Sequence, residues 1–154
     1  MAGPYYFIAK IVDIIKFKYY YCDYKNVIKR AGVMPPVYDV QVYKTASGRE
    51  PVNEYLKDLQ QKHKLTEAAQ IQAYIKRLKV LGMDINATFP HTIRKVTSDI
   101  WELRPGGNRV FFFHFTGKTF VLLHAYRKSS QKAPSSEIEK AEKEMKDYCR
   151  RSKK

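Results

Sequence analysis

The 154-residue chain reads as an α+β domain, with a helical hairpin packed on a small, twisted, mainly antiparallel sheet and a C-terminal helix. Three observations predict this. Residues 37–43, 92–96, 100–104, 110–115 and 119–126 alternate, or run apolar, over strand lengths. Between the first two of these lie two stretches with apolar residues at i, i+3, i+4 and i+7 spacing. A last amphipathic stretch follows all the strands. The order β, α, α, β, β, β, β, α sets helices against a meander.

The first 36 residues stand apart as an extension. Tyr, Phe, Ile, Lys and Asn fill 19 of the first 33 positions, and these are the residues that AT-rich codons specify. Two readings stay open. Met34 is the true start and residues 1–33 are translated upstream DNA, or Ile8, Ile11, Val12 and Ile15 line a short docked helix. Lys10, Asp13 and Lys16 interrupt any signal peptide or membrane span there. The domain itself is expected over residues 37–150, with 151–154 as a basic tail.

In the first strand Tyr38, Val40 and Val42 oppose Asp39, Gln41 and Tyr43. Ser47 and Glu50 have capping-box spacing, and Pro51 is tolerated in a first turn. Val52, Tyr55, Leu56 and Leu59 form one helical stripe. Thr66 is the expected N-cap of a second helix lined by Ile71, Tyr74, Ile75, Leu78 and Leu81, which Gly82 ends. Residues 83–90 are expected as a loop. In the last strand Phe120, Leu122, His124 and Tyr126 are expected on one face, with Val121, Leu123 and Ala125 on the other. Ser136 and Glu139 suggest another capping box, opening a helix with Ile138, Ala141, Met145 and Tyr148 inward. One sheet face is expected to be left open, at least in part, with basic rims.

The stretch from Ile100 to Phe113 is a β-hairpin turning at Pro105-Gly106-Gly107-Asn108. Arg104 and Arg109 flank the turn. Two guanidinium groups beside an apolar sheet suit phosphate. The alternative is that they are ordinary strand-end arginines, paired with Glu102 or solvated. Trp101 is expected in the core.

Lys and Arg total 29 against 15 Asp and Glu, a formal charge of +14. That points to a polyanionic partner. Cys22 and Cys149 form no close pair, and His63, His91, His114 and His124 lack zinc spacing. The simplest reading is a reduced, cytosolic protein with no metal and no cofactor. No apolar run approaches the ~18 residues of a membrane span.

Several stretches together resemble one family. They are Tyr43-Lys44-Thr45-Ala46-Ser47-Gly48-Arg49-Glu50-Pro51-Val52, Ile100-Trp101-Glu102-Leu103-Arg104, Arg109-Val110, Leu122-Leu123-His124-Ala125-Tyr126-Arg127-Lys128, then Pro134 and residues 137–141. Their order and spacing resemble the RelE/ParE toxin superfamily, and most of all its phage-derived HigB-like branch, over about residues 37–150. The resemblance implies a microbial-RNase-like sandwich. It also implies the toxin of a type II toxin–antitoxin pair, which enters the ribosomal A site and cuts mRNA without a metal. Its implied partners are mRNA, the ribosome and a helix-turn-helix antitoxin.

Such cleavage needs a base for the 2′-hydroxyl, cations for the phosphate and an acid for the leaving 5′-oxygen. The resemblance implies catalytic roles for Arg109, Arg127 and Lys128, and phosphate contacts from Arg94, Lys95 and Arg104. His124 and Tyr126, expected on one strand face, are the candidates for proton transfer or base stacking, with a plain sheet histidine as the alternative for His124. Lys132 is a generic phosphate contact or solvated charge. Glu102 departs from the pattern, because the ribonucleases nearest RelE carry a lysine there. Tyr148 falls too far along the last helix to replace their late tyrosine. Two other readings remain: a ParE-like toxin that poisons DNA gyrase without chemistry of its own, and an inactive binding member.

Overall fold

The computed structural model describes residues 38–129 and 132–153. The choice between a start at Met34 and a docked helix over residues 1–33 falls outside them. Strand β1 (Asp39–Val42) leads to helices α1 (Pro51–Gln61) and α2 (Leu65–Leu81). Where a plain loop was expected, a 3-10 turn (Gly82–Asp84) and a short helix α3 (Ile85–Thr88) follow. Next come β2 (Ile93–Lys95), β3 (Ile100–Leu103), β4 (Asn108–Thr116), β5 (Thr119–Arg127) and the last helix, α4 (Ser135–Ser152). The sheet order is β1-β5-β4-β3-β2. Only β1 and β5 run parallel; the other neighbours are antiparallel. The chain leaves β1 through the helical hairpin, enters the far edge at β2, and returns to the parallel neighbour only after β3 and β4.

The sheet is packed on both faces. On the first, Val52 and Leu59 of α1 and Ala68, Ile71 and Leu78 of α2 meet Val110, Phe112, Phe120 and Leu122. Trp101 packs against this cluster, half-buried. On the second, Ile138, Ala141, Met145 and Tyr148 of α4 lie over Phe111, Phe113, Val121 and Leu123. Each buried phenylalanine of β4 contributes about 1.5–3 kcal/mol by leaving water. Of the face expected to stay open at least in part, α4 covers much. The uncovered part carries Arg94 and Arg104, which stay partly exposed.

A β-bulge corrects the expected alternation in β5. Val110 pairs with Ala125, but Phe112 pairs with Leu122, so β5 holds one extra residue opposite Phe111. Leu123 and His124 therefore lie on the same face. Ala125 passes to the helical-hairpin side, while His124 and Tyr126 join Phe111 on the side of α4.

None of the three expected N-caps forms. Glu50 caps α1 without a side-chain bond, since Pro51 sets the first turn; its carboxylate instead takes Lys44 and Asn53. The Lys64 carbonyl accepts the bond from the Ala68 N–H, which starts α2 before Thr66. The Pro134 carbonyl takes the N–H groups of Glu137 and Ile138, which leaves Ser136 inside α4.

Gly82 ends α2 at φ +56, where an added Cβ would lie 2.3 Å from the Tyr38 ring. Gly82→Ala is expected to lose about 1–3 kcal/mol to a positive-φ conformation that favours glycine and about 1–3 kcal/mol to overpacking. Urea unfolding of the variant checks this.

Candidate functional site

Strand alternation decides which charges meet. Arg94 pairs in register with Glu102, which pairs with Phe111, and Arg109 pairs with Tyr126. Arg94, Glu102, Arg109 and Tyr126 therefore share the sheet face of Phe111. Arg104, two residues beyond Glu102, reaches the same carboxylate. Glu102 is 1% exposed, and its Oε1 lies 3.0 Å from Arg94 Nε, 3.6 Å from Arg104 Nε and 3.7 Å from Arg109 Nε. None of these contacts has hydrogen-bond geometry, and both Glu102 oxygens lack a hydrogen-bond partner among the described residues. Charge attraction in a buried setting holds the cluster.

Arg109 is the inner member. Its Nη1 donates to the carbonyls of Gly106 (2.9 Å) and Asn108 (2.6 Å), which fixes it to the hairpin turn. Burial lowers its pKa; the Glu102 charge opposes that, while Arg104 adds to it. Arg94 and Arg104 are the outer members, with side chains 42% and 30% exposed. They can turn their guanidinium edges to a ligand.

The turn is tied to both helices of the hairpin. The Tyr55 hydroxyl donates to Asn108 Oδ1 at 2.6 Å, and Asn108 Nδ2 donates to Glu67 Oε2 at 2.9 Å. Asn108 is fully buried. Arg127 donates to the same Glu67 oxygen. The turn that positions Arg109 is thus held by α1, α2 and the end of β5.

Behind the arginines lies a second polar centre. His124 is 1% exposed, and its ring sits between two carboxylates of α4: Nδ1 is 2.7 Å from Glu144 and Nε2 is 2.9 Å from Glu137. The Phe111 ring packs edge-on against it. The arrangement fastens α4 to the sheet. Tyr126 packs beside His124 and Phe111. Burial, then the Glu102 charge, pushes its hydroxyl up to about 12.

Residues 54–146 match the family described as phage-derived protein Gp49-like (DUF891). The chain belongs to this family. It is a RelE/toxin-like family. The matched span opens within α1, closes within α4 and holds the arginine hairpin whole. No curated protein matches the chain.

In this Gp49-like domain the residues singled out in sequence fall into three groups. Arg94, Arg104, Arg109 and Tyr126 converge, with His124 beside them. Arg127 is engaged by Glu67 of α2, and the Lys128 backbone N–H donates to Gly107 beside the turn. Lys95 lies over the Trp101 ring at 5.7 Å, and Lys132 is exposed before α4. Sequence reasoning took Glu102 as a departure from the ribonuclease pattern and as a partner for the hairpin arginines, and missed its central place among three of them. The signal was there: Glu102 alternates with apolar Trp101 and Leu103 and faces the middle of β4. It missed Asn108, Tyr55 and Glu67 altogether, because nothing local links them.

The tyrosines set an alkaline limit on stability. Burial and the Asp147 hydrogen bond also push Tyr43 up to about 12. An unfolded tyrosine titrates near 10. Between these values the folded chain binds more protons than the unfolded chain. The stability is therefore full below about pH 10 and falls as pH rises toward about 12. Denaturant midpoints measured across that window should fall together with the onset of tyrosinate absorbance.

Proposed function

We propose that the chain is a HigB-like toxin of a type II toxin–antitoxin pair, and that it cuts mRNA in the ribosomal A site. The observation that carries this reading is the convergence of Arg94, Arg104 and Arg109, from adjacent strands, at the uncovered end of one sheet face. Three guanidinium groups against one carboxylate leave a net positive charge suited to a phosphate. Arg94 and Arg104 would hold the scissile phosphate as the 2′-oxygen bonds to phosphorus, its proton passing to water, and the bond to the 5′-oxygen breaks; Arg109 with Glu102 would form the rigid floor beneath them. Tyr126 is neutral well above pH 7. It suits hydrogen-bond donation to the leaving 5′-oxygen, or stacking, better than proton abstraction. His124 acts from behind by fastening α4. Lys128, with Arg127, would extend the positive rim beside the turn, whereas Lys95 pairs with Trp101 on the opposite sheet face and stands outside this pocket. The antitoxin would be the cognate helix-turn-helix protein, and the work would be cytoplasmic. No described helix is long and apolar enough to cross a membrane.

A ParE-like, gyrase-directed toxin is the second reading. The burial of His124 and Tyr126 favours it, since a binding-only toxin needs no reachable acid or base. Purified protein separates the two. With translating ribosomes on a defined message, the first reading expects cuts in ribosome-bound mRNA and normal gyrase supercoiling. Intact message with blocked supercoiling would establish the second.

A further inference from the structure

We propose that the outer face of α4 is a docking ridge for the backbone of double-stranded RNA. The proposal goes beyond the nuclease reading and does not depend on it. Lys140, Lys143, Lys146, Arg150 and Lys153 recur every three or four residues, and all five are exposed. At 100° per residue they form one stripe, roughly opposite Ala141, Met145 and Tyr148, which pack on the sheet. From Lys140 to Lys153 the stripe runs about 20 Å at 1.5 Å per residue.

The acidic residues of α4 are mostly turned to internal work. Glu137 and Glu144 face His124, and Asp147 takes the Tyr43 hydroxyl at 2.8 Å along with Arg150 and Arg151. Glu139 lies on the stripe and Glu142 beside it. Lys140, Lys143, Lys146 and Lys153 make no ion pair within 4.0 Å among the described residues, and Arg150 is 78% exposed despite its contact to Asp147. A helix face whose cations have so few local anions keeps its field for an outside partner.

Charge density favours a duplex. Its phosphates are dense and fixed in place, and a straight ridge can follow them. Double-stranded RNA is read largely by shape and by such backbone contacts. The ridge covers the same sheet face that carries the arginine cluster, and Glu137 near its start lies close enough to Tyr126 to influence its titration. A structured RNA bound along α4 would bring flanking single strand toward Arg94 and Arg104.

The test uses the full chain with Lys140, Lys143, Lys146 and Lys153 all changed to Gln. Glutamine has similar helix propensity, and circular dichroism checks that α4 is kept. The control changes four exposed lysines elsewhere, Lys57, Lys64, Lys76 and Lys118, to Gln. Binding to a 16-base-pair RNA duplex of arbitrary sequence is measured against salt. Each lost phosphate contact should reduce the log–log salt slope by about 0.9, so the ridge variant, with four contacts removed, should lose about 3.6 in slope and the control far less. Equal losses in both variants would reduce the effect to net charge and overturn the proposal. It would also be overturned if the ridge variant lost only single-strand binding, or only binding to vesicles with anionic lipid. Because the duplex is not cleaved in this assay, failure here leaves the nuclease reading untouched, and failure of that reading leaves this one standing.

Discussion

Replacing Glu102 with alanine is expected to lower stability by about 3–5 kcal/mol, the cost of removing one partner from a buried charge cluster. Glu102 is 1% exposed, and the Arg109 side chain beside it is 6% exposed. Without the carboxylate, three guanidinium groups would face each other at the end of the sheet. Arg94 and Arg104 can swing into water. Arg109 cannot, because two carbonyls of the turn hold it. The effect should appear as a lower urea midpoint with an unchanged denaturant slope. Glu102→Gln keeps the volume and removes the charge, so it should recover little of the loss. Wild-type stability in Glu102→Gln would mean that packing, not charge, holds the cluster.

The second large effect is functional. Arg94→Gln combined with Arg104→Gln is expected to slow cleavage of ribosome-bound mRNA by about 10²–10³-fold, the usual loss when a preorganised charge contact to the reacting group is removed. The fold should survive, because Arg109 still neutralises Glu102 and both altered side chains are partly exposed. The double variant's unfolding midpoint should fall, since Glu102 loses two of its three cations, so circular dichroism at the assay temperature checks that the variant is folded. Arg109→Ala is a poorer probe of chemistry. It strands Glu102 without its inner partner, so loss of toxicity there mixes catalysis with stability. Full cleavage by the double variant would remove the outer arginines from the site.

Much of this was legible in the sequence, for a physical reason. The stripes of α1 and α2, the Phe-rich β4, the turn at Pro105–Asn108 and the inward face of α4 follow from local periodicity, and local periodicity decides which side of an element is buried. What was not legible depends on distant partners or on register. One extra residue in β5 sends His124 and Tyr126 to the side of α4, and no pattern within Leu122–Tyr126 signals it. Ser47, Thr66 and Ser136 looked like caps. Pro51, and the carbonyls of Lys64 and Pro134, started the helices elsewhere. Arg109 looked like a surface ligand for phosphate. Its burial depends on Glu102 one strand away and on Asn108, whose side chain is tied to Tyr55 and Glu67 of the helical hairpin. The pairing of Arg104 with Glu102 was among the readings left open, and the contact at 3.6 Å agrees with it.

The central claim is that the arginine cluster makes this Gp49-like protein an mRNA-cutting toxin. The most direct measurement maps RNA 5′ ends and DNA breaks in one induced culture, with the Arg94→Gln/Arg104→Gln variant grown beside the wild type. The account predicts growth arrest with new 5′ ends inside translated codons for the wild type, no such ends for the variant, and no gyrase-linked breaks in either. Intact transcripts with accumulating gyrase-linked breaks would contradict it.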